Sequence, residues 1–146
     1  MASYQTSVKT RAPIAKVFAF LSDFSTTQQW DPGIVEARRL DQREVTVGSR
    51  FLLVAKFAGR RVRLTYEMSE LVPLKKVVLR AENSFVRLVD TLTFDHDEIA
   101  QTTTVSYDAQ LQPKGLFKLF DPILALLFKQ IGDKATQGLQ RAVEAL

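Results

Sequence analysis

The chain has 146 residues, of which 46% are hydrophobic and 25% charged, with 6 Gly, 5 Pro and no Cys. That is the composition of one ordinary globular domain and excludes a fibre, a linker or a disordered tail. Zero cysteines exclude disulfides, thiolate zinc sites and cysteine nucleophiles together, and the single histidine, His96, leaves few arrangements for nucleophilic catalysis.

A domain of this length buries roughly 68–70% of the surface its unfolded chain exposes, enough for a core without disulfides or a structural metal. The N-terminal Met-Ala-Ser-Tyr-Gln-Thr-Ser is polar and lacks the apolar region of a signal peptide. The longest apolar stretch, Leu116 to Phe128, is interrupted by Lys118 and Asp121 and falls short of the roughly 20 residues of a membrane span. A soluble, cytoplasmic domain is expected. The formal charge of +4 is uneven, with 14 Lys/Arg against 7 Asp/Glu in residues 1–80 and 6 against 9 in residues 81–146. No aromatic residues interleave with Arg38, Arg39, Arg43, Arg60, Arg61, Arg63, Lys75 and Lys76 as stacking platforms would require. The basic bias therefore reads as a solvated sheet face, and no nucleic-acid partner is expected.

In chain order, residues 3–10 alternate as a strand and end before Arg11-Ala12-Pro13, a helix entry. Ile14, Val17, Phe18 and Leu21 recur at helical spacing, predicting a short amphipathic helix that stops near Ser22-Asp23-Phe24. Ser25 or Thr26 is a candidate cap for a second helical turn reaching Gln29 and Trp30, which Asp31-Pro32-Gly33 breaks. Strand character then runs for about eighty residues. A charged strand at 34–42 suits a sheet edge, and Phe51–Phe57 connects through Ala58-Gly59-Arg60 to a strand in which Val62, Leu64, Tyr66 and Met68 alternate with polar residues. Strands at Val77–Leu79, Phe85–Phe94 and Gln101–Leu111 follow, the last two joined by an expected acidic loop, Asp95-His96-Asp97-Glu98. Such short turns make neighbours antiparallel. From Gly115 onward the spacing is helical, with Phe120, Leu124, Leu127, Phe128, Ile131, Ala135, Leu139, Ala142 and Leu146 on one stripe and Leu116, Leu119, Ile123 and Leu126 widening it. Asp121-Pro122 is either the N-cap and first-turn proline or a kink after an initial turn.

This order predicts a single α+β domain over 1–146: a curved seven-stranded antiparallel sheet wrapped around a long C-terminal helix, with two short helices after the first strand. It resembles the helix-grip fold of the START and birch-pollen-allergen (SRPBCC) superfamily, in particular its polyketide cyclase/dehydratase and lipid-transport branch. The residues that carry the resemblance are Ala12 to Asp23 in the first helix, Trp30-Asp31-Pro32-Gly33 after the second, Asp90-Thr91-Leu92-Thr93-Phe94 in a late strand and Lys114-Gly115-Leu116-Phe117 before the last helix. The resemblance implies an apolar pocket between sheet and helix for lipids, polyketides or other hydrophobic small molecules.

Alternation places Val62, Leu64, Tyr66, Met68, Val77, Leu79, Ala81, Leu88, Asp90, Leu92, Phe94, Thr103, Val105, Tyr107 and Ala109 on the inner face, opposite Phe117, Phe120, Leu124, Phe128 and Ile131. Most of these fill a core in any such fold, but the surplus Phe and Leu before and within the last helix point to a pocket mouth, a membrane or a dimer. The expected ligand-binding set is Trp30, Leu64, Tyr66, Met68, Leu79, Leu88, Asp90, Leu92, Tyr107, Phe117, Phe120, Leu124 and Phe128. Asp90 is either an inward orienting acceptor or general acid/base, or it pairs with Arg87 or Arg80, or a bulge turns it outward. Tyr66 and Tyr107 place a hydroxyl at the end of an apolar ring. Trp30 roofs the entrance or staples its helix to the sheet. His96 among acids lacks convergent ligands, so no metal is expected. With no nucleophile elbow, GxGxxG or P-loop, no cofactor is expected either. Three functional readings follow: binding or carriage of a hydrophobic small molecule; a polyketide aromatase/cyclase or dehydratase using Asp90 or Tyr107; and a membrane- or protein-interaction module built on Leu116, Phe117, Leu119 and Phe120. Transient membrane contact and a monomer or homodimer are the accompanying expectations.

Overall fold

The structure, a computed structural model, describes residues 1–146. Strand β1 (Ala2–Thr10) is followed by helix α1 (Ile14–Ser22), a 3-10 helix (Phe24–Gln29), and strands β2 (Ile34–Arg39), β3 (Arg50–Phe57), β4 (Arg60–Val72), β5 (Lys76–Glu82), β6 (Val86–Asp97) and β7 (Thr102–Pro113). A second 3-10 helix (Gly115–Phe120) then leads into the long helix α2 (Asp121–Glu144). The seven strands form one antiparallel sheet in the order β1-β7-β6-β5-β4-β3-β2. The charged β2 is an edge strand, as its composition suggests.

Local chemistry sets these boundaries. Ala58 and Gly59 both take positive φ, 51° and 77°, the primed turn that matches strand twist in a two-residue hairpin. Register irregularities at Ile34/Glu36 and Met68/Glu70 are bulges, which bend strands and help a sheet curl. The cap of the first 3-10 helix is neither Ser25 nor Thr26 but Asp23, whose Oδ1 accepts from the Ser25 N–H at 3.0 Å. Asp23 also pairs with Arg39 of β2 at 2.6 Å, fastening the short helix to the sheet edge. His96 lies inside β6, opposite Thr103, and not in a loop. The chain keeps pairing through Asp97 before it turns, because the strand's alternation continues past Phe94. At the C-terminal end both readings of Asp121-Pro122 have substance, since a 3-10 segment precedes them and the proline occupies the first turn of α2.

α2 lies against β1; its first residue, Asp121, pairs with the Met1 ammonium, and its deepest burial is in the C-terminal half. Leu139 and Val143 are its buried residues. The Thr10 hydroxyl donates to the Val143 carbonyl at 2.8 Å, Gln140 Nε2 to the Lys9 carbonyl at 2.8 Å, and the Tyr4 hydroxyl to Asp133 at 2.7 Å. Two glycines permit this approach. A Cβ on Gly132 would sit 2.5 Å from the Tyr4 ring, and one on Gly138 would overlap the Trp30 carbonyl oxygen. The other end of the sheet is covered by α1 and the first 3-10 helix, where Phe18 packs edge-on to Phe94 at 5.0 Å and Phe24 to Tyr66 at 5.4 Å.

The Gly138 contact gives a prediction with an unusual sign. Alanine is favoured over glycine inside a helix by about 1 kcal/mol, yet at Gly138 its methyl meets a backbone carbonyl, and overpacking costs about 1–3 kcal/mol. Gly138→Ala is expected to lower the melting temperature measured by circular dichroism. A higher one would contradict the close seating of α2 on Trp30.

Candidate ligand cavity

A cavity of about 340 Å3 lies between α2 and the sheet. This is within the usual range of ligand pockets, roughly 300–1,000 Å3. Twenty of its twenty-eight lining residues are hydrophobic, so burial of an apolar ligand is the interaction it offers most of. Sheet residues Val62, Leu64, Tyr66, Leu88, Asp90, Tyr107, Ala109 and Leu111 form the floor. Helix residues Leu124, Phe128, Ile131, Ala135 and Leu139 form the roof, and Phe57, Phe85 and Phe117 also line it.

Of the residues expected from the sequence, Trp30, Leu64, Tyr66, Leu88, Asp90, Tyr107, Phe117, Leu124 and Phe128 line this cavity. Met68, Leu79 and Leu92 do not. They share the inward phase of the strands, but they are 0% exposed in the solid core together with Val17, Leu21 and Phe24. Phe120 is also outside the lining and is exposed, because it ends the 3-10 helix before α2 begins and so leaves the phase of the α2 stripe.

Asp90 faces inward, without a bulge and without either arginine: Arg87 pairs with Glu82 and Arg80 turns to Ser69. Its partner is the diagonal neighbour Tyr107, whose hydroxyl donates to Asp90 Oδ2 at 2.5 Å. Burial pushes the Asp90 carboxyl up to about 7. The hydrogen bond from Tyr107 opposes that rise, while the negative charges of Asp31 and Asp108 add to it. Asp31, half-buried at the cavity wall, is pushed up to about 6 by desolvation, against the lowering effect of the Gly33 N–H, which donates to its Oδ1 at 2.8 Å. The hydroxyls of Tyr66 and Tyr107 are raised well above the usual phenol value, first by burial and then by these same carboxylates. Trp30 packs edge-on to Tyr107 at 5.9 Å, and its indole N–H is buried without an acceptor. One end of the cavity is therefore a polar cluster of Asp31, Asp90, Tyr66 and Tyr107 beside Trp30. Asp31 is the member that residue patterns did not single out. Its signal is the Asp-Pro-Gly turn, which the sequence shows as a chain break and as part of the family resemblance without giving Asp31 a role in the site.

The turn is what positions Asp31. Its N–H donates to the Thr27 carbonyl at 2.9 Å, its side chain caps Gly33, and the Gly33 carbonyl accepts from Lys56 N–H of β3 at 2.8 Å. His96 is remote from this cluster and contacts Thr103 at 3.4 Å. No group of three His, Cys, Asp or Glu residues is arranged to hold a metal ion.

The whole-chain architecture agrees with comparison to known proteins. The family model described as polyketide cyclase / dehydrase and lipid transport matches residues 1–144. The chain belongs to that family. Its fold is the START/SRPBCC helix grip. A START superfamily protein from Mycobacterium smegmatis superposes with a TM-score of 0.77 at 14% identity, covering 99% of each chain. A protein from Thermus thermophilus does so with 0.79 at 17% identity, over 98% of this chain and 97% of its own. The di-domain ARO/CYC protein BexL of the BE-7585A biosynthetic pathway matches 99% of this chain and 46% of its own, with 0.67 at 15% identity. No curated protein matches the sequence.

The buried carboxyls make stability pH-dependent. Folded Asp90 holds its proton up to about pH 7, whereas an unfolded aspartate loses it near pH 4. The native state therefore binds more protons in that window, and stability falls as pH rises through it. Asp31 contributes in the same direction up to about pH 6. Asp23, held low by Arg39 and Ser25 although burial opposes them, acts in the opposite direction and only below the ordinary carboxylate range. Thermal denaturation is expected to give a melting temperature that declines from about pH 5 to pH 8, on the order of a few kcal/mol of stability at ~1.36 kcal/mol per pH unit. Asp90→Asn should flatten that slope. An equal slope in the variant would contradict the placement of Asp90.

Proposed function

We propose that this family member binds and carries a hydrophobic small molecule of lipid or polyketide type in the cavity between sheet and α2. The observation that supports this best is the combination of an apolar space under α2 with a polar cluster confined to one end. Apolar burial at roughly 25 cal/mol per Å2 supplies affinity, and one or two polar groups fix orientation. As an aromatase/cyclase or dehydratase the same cavity would fold a flexible chain, with Asp90 moving the proton. Carriage is the reading the residues support better, since the lining is mostly hydrophobic and Asp90 and Asp31 are its only acidic groups.

Leu124 is half-buried on the cavity roof, so enlarging it fills the space at little cost to the core. Leu124→Trp is expected to weaken binding of the neutral dye Nile red by about tenfold or more with the melting temperature nearly unchanged. Undiminished dye binding would place the dye, and the proposed function, elsewhere.

A membrane reading of the mouth has its own observation. Leu116, Leu119, Ile123 and Leu126 are 81%, 78%, 59% and 61% exposed, and the exposed Lys118 and Lys129 that accompany them form no ion pair. Aliphatic side chains flanked by free cations match an anionic bilayer surface. Co-sedimentation with phosphatidylserine-containing vesicles at low salt should occur and should be lost in Leu119→Asp/Ile123→Asp. A concentration-dependent dimer with no vesicle binding would assign the patch to self-association.

A further inference from the structure

The polar end of the cavity is short of cations. Asp31, Lys56 and Asp90 are the charged residues in its lining. Lys56 alternates with Ala55 and Phe57 along β3, so its side chain leaves on the outer, exposed face. The groups that face the two carboxyls are Tyr66 on β4, Tyr107 on β7, and each other, while Asp108, on the opposite face of β7 from Tyr107, adds its negative charge from behind the strand. Nearby on β1 and α2, Tyr4 and Asp133 satisfy one another. No lysine or arginine acts on either carboxyl.

Buried acids without a cation are costly, and proteins ordinarily pair them. Here the second half of the pair is missing from the chain, while three aromatic rings, Trp30, Tyr66 and Tyr107, line the same space. Tyr66 is 6% exposed, and its hydroxyl has no hydrogen-bond partner although its surroundings are acidic. Aromatic faces and carboxylates attract the same kind of ligand, an organic cation.

We propose that the inner end of the cavity is a cage for a protonated amine carried on an apolar tail, formed by Asp31 and Asp90 with Trp30, Tyr66 and Tyr107, and that it rejects carboxylate amphiphiles. The inference rests on the cavity reading above. An ammonium would hydrogen-bond to the free oxygens of Asp31 and Asp90 and to the Tyr66 hydroxyl, with its positive charge against the rings. A carboxylate in that place meets like charge at close range and finds no cation to oppose it.

Calorimetric titration with dodecylammonium, 1-dodecanol and dodecanoate, which share one tail, separates the parts of this claim. At about pH 8 the ammonium should bind about tenfold or more tighter than dodecanoate, and the margin should collapse near pH 5 as the carboxyls take up protons. Asp31→Asn/Asp90→Asn should remove most of the ammonium's advantage over dodecanoate. Dodecanoate binding as tightly as the ammonium at pH 8, or an unaltered preference in the double variant, overturns the cage. Binding of 1-dodecanol without any charge preference overturns the cage and leaves the cavity reading standing. Failure of all three to bind overturns both.

Discussion

The seating of α2 on β1 is the constraint from which the rest of the molecule follows. Gly132 and Gly138 bring the C-terminal half of the helix close enough for Leu139 and Val143 to be buried. The hydrogen bonds from Thr10 and Gln140 fix it there. The helix spans a sheet that curves beneath it, and Leu124, Phe128 and Ile131 line the space that this leaves. The cavity is thus a consequence of geometry, produced where a stiff element and a curved one stop following each other, and not of missing core residues. The α1 end shows the contrast, since there two short helices follow the curvature and Met68, Leu79 and Leu92 are fully packed.

Into that space the sheet directs a carboxyl that a stable core would avoid. Asp90 has a single hydrogen-bond donor, Tyr107, and no cation. Its neighbour Asp31 is held by a turn whose geometry the short helix and β3 determine. Such arrangements oppose stability locally and persist where the surrounding fold is strong enough to impose them.

Much of this was legible in the residues. Val62 to Met68 alternate cleanly enough to fix the inner face of β4, and alternation put Asp90 on the inward phase while leaving open a bulge or an arginine pair, neither of which the structure has. Ala58-Gly59 announced its hairpin. What alternation cannot tell is how deep a helix lies over each inward position. Leu64 and Met68 have the same phase, yet the first lines the cavity and the second is solid core. Phase also fails where the helix type changes, which is why Phe120 falls outside the cavity. Asp31 was hidden for another reason. Asp before Pro-Gly is ordinary turn chemistry, and its role emerges only when the turn is packed against Trp30 and the Gly33 carbonyl is tied to β3.

The proposed function requires the space beneath α2 to hold one hydrophobic molecule. Native mass spectrometry of the gently purified protein, incubated with a total lipid and small-molecule extract and compared with its denatured mass, tests it most directly. The expected spectrum has a single adduct of one molecule per chain that is lost on denaturation and absent in Leu124→Trp. A bare mass, or the same spread of adducts in both proteins, would contradict it.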